Sequence, residues 1–331
     1  MPARRTWPRA ALVLAVAALP ACGSRGQASD AGRRFERDWA AHPAVFTLNG
    51  ATEIDALGDP HGDPDVTFRT LAAAGLISRT TPVAWTGGTK VLVLTGDVID
   101  KGASALPIID LFIALEPQAR AAGGRVVVTL GNHEAEFLAA PTDAKTAVFQ
   151  TELRGAGLDP AAVAAGSSPY GAWLRNLPVA ALIDDWFFCH SGDNDGDSAA
   201  AVGKKFRDAV EGAAGYGDPY LIGSGSILEA NAWWLGKPSS AAAVDDNLAA
   251  VPAHHVVFGH DPGALQFPDD PAGDRAKGAL VARYDGRLFA IDGGMSYAVG
   301  YSNGALLRVV RGATTAASTV ASDGTMTPLW P

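Results

Sequence analysis

Gly96-Asp97-Val98-Ile99-Asp100-Lys101-Gly102 follows directly on the apolar run Val91 to Thr95. A short β-branched run that stops at Gly reads as a buried strand, and the carboxylates just beyond it stand at its carboxyl end. The arrangement recurs four times. Ile54 to Leu57 leads into Gly58-Asp59-Pro60-His61-Gly62-Asp63, and Val126 to Leu130 into Gly131-Asn132-His133-Glu134. Trp186 to Cys189 leads into His190-Ser191-Gly192, and His255 to Phe258 into Gly259-His260-Asp261. Polar residues past the carboxyl ends of strands in a layered α/β sheet converge on one crevice. The neighbouring glycines permit sharp turns and close approach of a ligand. The sequence therefore places Asp59, His61, Asp97, Asn132, His190 and His260 in loops that face one another.

Carboxylate, amide oxygen and imidazole form a mixed hard and borderline donor set. That set suits Mn, Fe or Zn better than Ca or Mg and needs no thiolate. Two divalent ions about 3.5–4 Å apart clamp a phosphoryl group and lower the pKa of a water between them. One carboxylate must then be shared, and Asp97, after a central strand, is the best placed. His133 follows Asn132 and suits a general acid for a leaving alkoxide, with Asp100 holding its ring.

With these residues in order, the chain resembles the calcineurin-like metallophosphoesterases, and within them the phosphoprotein-phosphatase branch. Ile291-Asp292-Gly293-Gly294-Met295-Ser296 also resembles the bacterial, Shewanella-like phosphatase group of that branch. The resemblance covers about Glu53 to Tyr297. It implies that Asp59, His61 and Asp97 hold a first metal ion, and that Asp97, Asn132, His190 and His260 hold a second. It implies His133 as proton donor supported by Asp100, and Lys101 and Asn132 as phosphate-binding groups. Three departures stand out. Lys101 replaces the usual Arg, keeping the charge but not the planar fork. The family's second phosphate-gripping Arg lies nearer the later of the last two His ligands, whereas the sole Arg between His190 and His260 is Arg207, nearer His190. His190-Ser191-Gly192 replaces His-Gly-Gly.

The expected activity is hydrolysis of phosphate monoesters, phosphoprotein or small-molecule, by water activated between two ions. Two alternatives stay open: a diphosphate or nucleotide hydrolase on the same scaffold, and a tethered metal-binding module with weak catalysis.

The first residues read as targeting rather than fold. Arg4, Arg5 and Arg9 precede the apolar stretch Ala10 to Leu19, which is too short to span a bilayer as a helix. Leu19-Pro20-Ala21-Cys22 resembles a lipobox. Residues 1–22 are thus expected to be a lipoprotein-type signal peptide with Cys22 as lipid acceptor, and 23–44 a tether. The expected location is exported and membrane-anchored, facing the periplasm or cell surface. Cys22 and Cys189 are the two cysteines, so lipidation of one leaves no intramolecular disulfide. Cys189, in an apolar run, reads as a buried structural thiol. The formal net charge of −9 becomes −12 without the leader's three arginines, which argues against nucleic acid as a partner. The phosphate ester is the expected partner; a protein partner is not specified by the sequence.

The remaining chain, 45–331, is long enough for one α/β domain. The expected architecture is two packed mixed β-sheets flanked by helices, a metallophosphoesterase β-sandwich, with residues 193–251 as a helical cap insertion. Helices are predicted at Asp65–Leu76, at Ser104–Arg120 with interruptions near Pro107 and Pro117, and in pieces over Asp143–Asn176. Further helical patches are predicted at Ala199–Gly212 and Ile227–Leu235. Strands are predicted at Ala180–Ile183, Gly278–Ala282, Arg287–Ile291 and Leu306–Val310. Trp233, Trp234, Tyr216 and Tyr220 either stack on an aromatic or nucleoside leaving group or, the favoured reading, pack the insertion on the core. His254 and His255 read as strand-entry residues and His42 as exposed. Asp63 either orients His61 or caps the next helix. Asp261 has the same ambiguity. Glu134 is read as supporting the ligands, opening a helix, or both. Asp292, at a strand end, faces the site or serves the turn before Gly293.

Overall fold

The computed structural model describes residues 35–236 and 239–331. In chain order the first half contains β1 (Val45–Leu48), β2 (Glu53–Leu57), α1 (Pro64–Ala73), β3 (Val91–Leu94), α2 (Leu106–Ala121), β4 (Arg125–Val128) and α3 (Asn132–Ala139). There follow α4 (Ala147–Gly155), α5 (Pro160–Ala164), α6 (Pro169–Arg175), β5 (Ala180–Ile183), β6 (Trp186–Cys189), α7 (Ala199–Glu211) and α8 (Ser240–Ala250). The chain ends with β7 (His255–Phe258), β8 (Val281–Arg283), β9 (Leu288–Ala290), β10 (Ala305–Arg311), β11 (Thr315–Ala321) and β12 (Met326–Trp330).

The strands form two six-stranded mixed sheets, ordered β1-β5-β6-β7-β9-β8 and β12-β11-β10-β2-β3-β4. Alternation along the strands explains why they pack face to face. Ile54, Ala56, Val91, Val93 and Val127 from one sheet join Ala181, Ile183, Phe188, Val257 and Phe289 from the other in one apolar core. Their neighbours Leu57, Leu92, Leu94, Val126 and Val128 point the other way, into the core shared with α1 and α2. In the second sheet β2, β3 and β4 are parallel, and in the first β6, β7 and β9 are parallel. Five of these six carboxyl ends carry the ligand-type loops, and the sixth, that of β9, leads into Ile291-Asp292.

The first helix begins one residue earlier than predicted, where Asp63 accepts from Val66 N at 3.3 Å and Pro64 fills the first turn. It stops at Ala73, short of the predicted end, as Gly75 turns left-handed (φ 72°). Pro117 does not interrupt α2. Burial of Leu111, Phe112, Leu115 and Ala119 along the helix outweighs the one backbone hydrogen bond that proline removes. No helix spans Ile227–Leu235; only Trp233–Leu235 forms a 3-10 turn, entered by Ala232 in a left-handed conformation. The helix lies instead at Ser240–Ala250, capped by the Ser239 side chain. The tether boundary at 44 also shifts. Arg37 is buried, and its guanidinium donates to the carbonyls of His42, Pro43, Arg175 and Leu177. Residues from Phe35 onward are therefore docked on the fold, while the expected leader and its expected lipid acceptor Cys22 lie outside the described residues.

Asp55 is fully buried on the outer face of β2, and Arg308 on β10 grips it with two hydrogen bonds of 2.7 and 3.1 Å. Burial raises the Asp55 pKa, and the Arg308 bonds oppose that rise. Arg308→Met is expected to cost about 3–5 kcal/mol near neutrality, because it leaves a buried carboxylate unpaired. Its carboxyl pKa then climbs further in the folded state, so the native protein binds the extra proton before the unfolded chain does. The deficit should shrink as pH falls toward about 5. Denaturant titration of both proteins at two pH values checks this; an equal deficit at both would exclude the unpaired charge as its cause.

Candidate active site

The two parallel strand sets deliver their loops to one centre, and Asp97 is its hub. Asp97 Oδ2 lies 3.5 Å from His61 Nε2, 3.3 Å from His190 Nε2 and 3.9 Å from His133 Nε2. Its Oδ1 accepts from the backbone N of His133 at 3.1 Å. Two triads share this carboxylate, His61-Asp97-His133 and Asp97-His190-His260, and the donor atoms within each lie within 4.8 Å of one another. The His61 and His133 rings meet edge to face at 5.0 Å, and so do those of His190 and His260.

Hydrogen bonds set which ring nitrogen faces inward. His190 Nδ1 donates to Thr95 O at 2.6 Å and His61 Nδ1 to Ile99 O at 3.2 Å, leaving each Nε2 turned toward Asp97. Asn132 Oδ1 sits 3.0 Å from His190 Nε2. Asp59 belongs to neither triad. Its Oδ2 accepts from His260 N at 2.8 Å, while its buried Oδ1 has no partner. Burial, with the charges of Asp292 and Asp97 adding to it, pushes the Asp59 pKa well up, and burial lowers His61 to about 3 and His260 to about 4. The orphaned Asp59 oxygen, neutral imidazoles and clustered carboxylates are what divalent cations would satisfy. The donor set fits metal ions at this centre.

His133 stands at the rim, its Nδ1 3.6 Å from Asp100 Oδ2. Asp100 Oδ1 accepts from Phe149 N at 3.0 Å, which fixes the carboxylate. Burial opposes a charge on His133, but Asp97 and Asp100 outweigh it and hold its pKa at about 9. Lys101 is exposed at the loop crest. Five site residues have left-handed backbones: His61 (φ 40°), Asp97 (53°), Asp100 (61°), Lys101 (58°) and His260 (66°). Such conformations cost of order 1–3 kcal/mol at a non-glycine residue and persist only where the surroundings enforce them.

Glu134 is the enforcer at the Asp97 loop. Its two carboxylate oxygens accept four backbone N–H groups, from Asp97, Val98, Ile99 and Gly131, at 2.8 to 3.1 Å. Both expected roles hold, because Glu134 also lies in the first turn of α3. Asp63 caps α1 and accepts from Tyr297 N, and it makes no bond to His61. Asp261 accepts from Gly263 N in its own turn.

Arg207 lies away from this centre on α7, its guanidinium over the Trp39 ring at 4.9 Å, so it grips no phosphate here. The buried arginine near the site is Arg275, for which the sequence carries no local signal. It donates to the carbonyls of Asp261, Ala279 and Asp292. Trp234 and Tyr216 are buried, and Trp233 Nε1 donates to Ser191 O at 3.0 Å, so these aromatics fasten the 193–251 segment to the body of the fold. Cys189 is buried and its thiol is pushed up to about 12 by that burial, the state of an inert structural thiol. His255 stacks on Trp186 at 4.0 Å and plays no part in the centre.

Two packed mixed sheets with a histidine–carboxylate centre at their joined strand ends define a metallophosphoesterase. The calcineurin-like phosphoesterase family model matches residues 52–264, and the chain belongs to that family. Among curated proteins it is 46% identical over 83 residues to an uncharacterized protein of Schizosaccharomyces pombe, covering 25% of each chain. It is 39% identical over 79 residues to Shewanella-like protein phosphatase 2 of Arabidopsis thaliana, covering 24% of this chain and 20% of that one. The chain thus spans about a quarter or less of the length of the curated relatives it matches. Among solved structures, a cold-active protein-tyrosine phosphatase of a psychrophilic Shewanella species superposes with a TM-score of 0.63 at 20% identity, over 86% of this chain and 82% of that one. A serine/threonine phosphatase of Saccharomyces cerevisiae gives 0.54 at 14%, over 85% and 84%. Both likenesses concern the fold.

Proposed function

We propose that this protein is a two-metal phosphomonoesterase acting on phosphoprotein or small-molecule monoesters, in an exported, lipid-anchored chain as the leader suggests. The observation that carries the reading is the convergence of three imidazole Nε2 atoms on one oxygen of Asp97. Asp59, His61 and Asp97 would hold one ion, and Asp97, Asn132, His190 and His260 the other. Mn, Fe or Zn suits this nitrogen and oxygen set. Bound there, the ions would supply Lewis acidity toward a phosphoryl oxygen and lower the pKa of water.

The chain's own groups do the rest. Asn132 and Lys101 meet phosphate oxygens, Lys101 as a point charge without a fork. His133 holds a proton on the side facing the centre, and the Asp100 carboxylate, 3.6 Å behind it, acts on the ring through its charge. Cations at Asp97 would cancel part of the pull that holds the His133 proton, bringing its pKa down toward the range useful for donation.

Replacement of His133 by Asn tests the acid role. Metal content should stay at the wild-type level. Turnover should fall roughly 10²–10⁴-fold with phenyl phosphate, whose leaving group needs a proton, and less with p-nitrophenyl phosphate. Equal losses on the two esters, or none, would remove His133 from proton donation.

A further inference from the structure

Asp292 is a buried carboxylate that neither the family's ligand set nor the turn around it fully employs. It follows β9, which runs parallel to β7, and Ile291 N donates to Phe258 O at 2.8 Å, carrying the ladder up to the loop that bears His260. On its other side it abuts Gly58, the residue before Asp59: a methyl group on Gly58 would stand 3.0 Å from Asp292 Cα and 2.7 Å from Ile291 O. The chain beyond it clasps the first ligand loop, since Ser296 Oγ donates to His61 O at 3.1 Å and Tyr297 N to Asp63 Oδ2 at 2.9 Å. Asp292 thus sits at the junction of the Asp59 and His260 loops, on the side of Asp59 and His61.

One oxygen is accounted for: Oδ1 accepts from Gly294 N at 2.8 Å. Oδ2 has no partner, although the residue is 1% exposed. Asp59 Oδ1 is orphaned in the same way. Arg275 is close enough to temper the charge, but its guanidinium hydrogens are directed to backbone carbonyls, including that of Asp292 itself. Asp59, Asp97 and Asp292 therefore share one buried floor with less positive charge than they need. Burial raises the Asp292 pKa to about 6, and the charge of Asp97 adds to that rise. A buried carboxylate oxygen without a donor is costly unless a cation faces it.

Resting on the two-metal reading, we propose that Asp292 is a seventh residue of the metal centre, a positioning residue whose free Oδ2 sets its charge against the ion on the Asp59–His61 side. Its backbone is anchored by Arg275 and its Oδ1 by Gly294 N, so the second oxygen is held in one direction. Carboxylates that support a metal's ligands in this way change its affinity about 10–100-fold when removed.

The test is Mn²⁺ binding to the full chain, stripped with chelator and titrated calorimetrically, beside thermal melts with and without Mn²⁺. Wild type is expected to take two ions. Asp292→Asn should weaken one of them about 10–100-fold and leave the other unchanged. The metal-free Asp292→Asn protein should melt higher than metal-free wild type, because a buried like charge has gone, while its gain in Tm on adding Mn²⁺ should be smaller. A merely structural role for Asp292 would lower both melts alike, and that result, or two ions bound with wild-type affinity, would overturn the proposal. Wild type saturating below two ions would overturn the two-metal reading itself and this inference with it. The same measurements on Asp292→Ser cover the case in which Asp292→Asn does not fold.

Discussion

Asp97→Asn is expected to release both ions and to lower monoester turnover by about 10³-fold or more, the loss that several kcal/mol of Lewis-acid stabilisation implies at one decade per 1.4 kcal/mol. The substitution is nearly isosteric, and Asn tolerates the left-handed φ of 53° at this position. Its amide oxygen can still accept from His133 N, so the loop should keep its shape. What disappears is the negative charge on which His61, His133 and His190 converge at 3.3 to 3.9 Å. Because both triads share Asp97, the two ions should be lost together, whereas His260→Ala, which touches one triad, should spare one of them. Elemental analysis after dialysis decides. One ion retained at full occupancy in Asp97→Asn would show that the carboxylate is not shared.

Glu134→Ala should be the most destabilising change near the site. It orphans four buried backbone N–H groups at once, three of them in the loop that carries Asp97. Each unsatisfied buried donor costs about 1–3 kcal/mol, and water entering the vacated space recovers part of it, so a net loss of about 5 kcal/mol or more is expected. At about 2–4 °C per kcal/mol for a domain approaching this size, Tm should fall on the order of 10 °C or more. Glu134→Gln keeps an acceptor oxygen for two of the four donors and should fall between. Calorimetric melts rank the three proteins. A Glu134→Ala protein as stable as Glu134→Gln would mean that the Asp97 loop is held by other contacts.

The ligand set could be read from the chain because each ligand closes a short buried strand, and both features are local. Val91 to Leu94 followed by Gly96-Asp97 announces the strand, the turn and the ligand within a few residues. Glu134 could be placed on a helix for the same reason, although three of the four amides it collects come from a loop more than thirty residues away. Arg275 could not be found, since nothing around it signals that its guanidinium spans three carbonyls from three different turns. The helix expected at Ile227–Leu235 failed because Ile227, Leu228 and Trp234 have helical spacing yet are buried one by one from turns, a case of tertiary packing overriding pattern. The strands β11 and β12 carry no legible pattern, because the Thr, Ser and Ala of β11 give no clean alternation and Pro328 interrupts the exposed edge strand β12.

The left-handed backbone at Lys101 has a consequence for how this centre can change. A long, unbranched cation already occupies a conformation that most side chains avoid, at φ 58°, and the loop bonds from Gly62 N to Val98 O and from Gly102 N to His61 O and Asp100 O hold the turn around it. Exchanging Lys101 for Arg adds no backbone penalty, because neither side chain branches at Cβ. Val or Ile at the same position would meet both the wrong handedness and a crowded Cβ. The crest of this loop is therefore open to one kind of drift, between two cations, and closed to most others. Substrate preference can diverge there while the metal floor beneath it stays as it is.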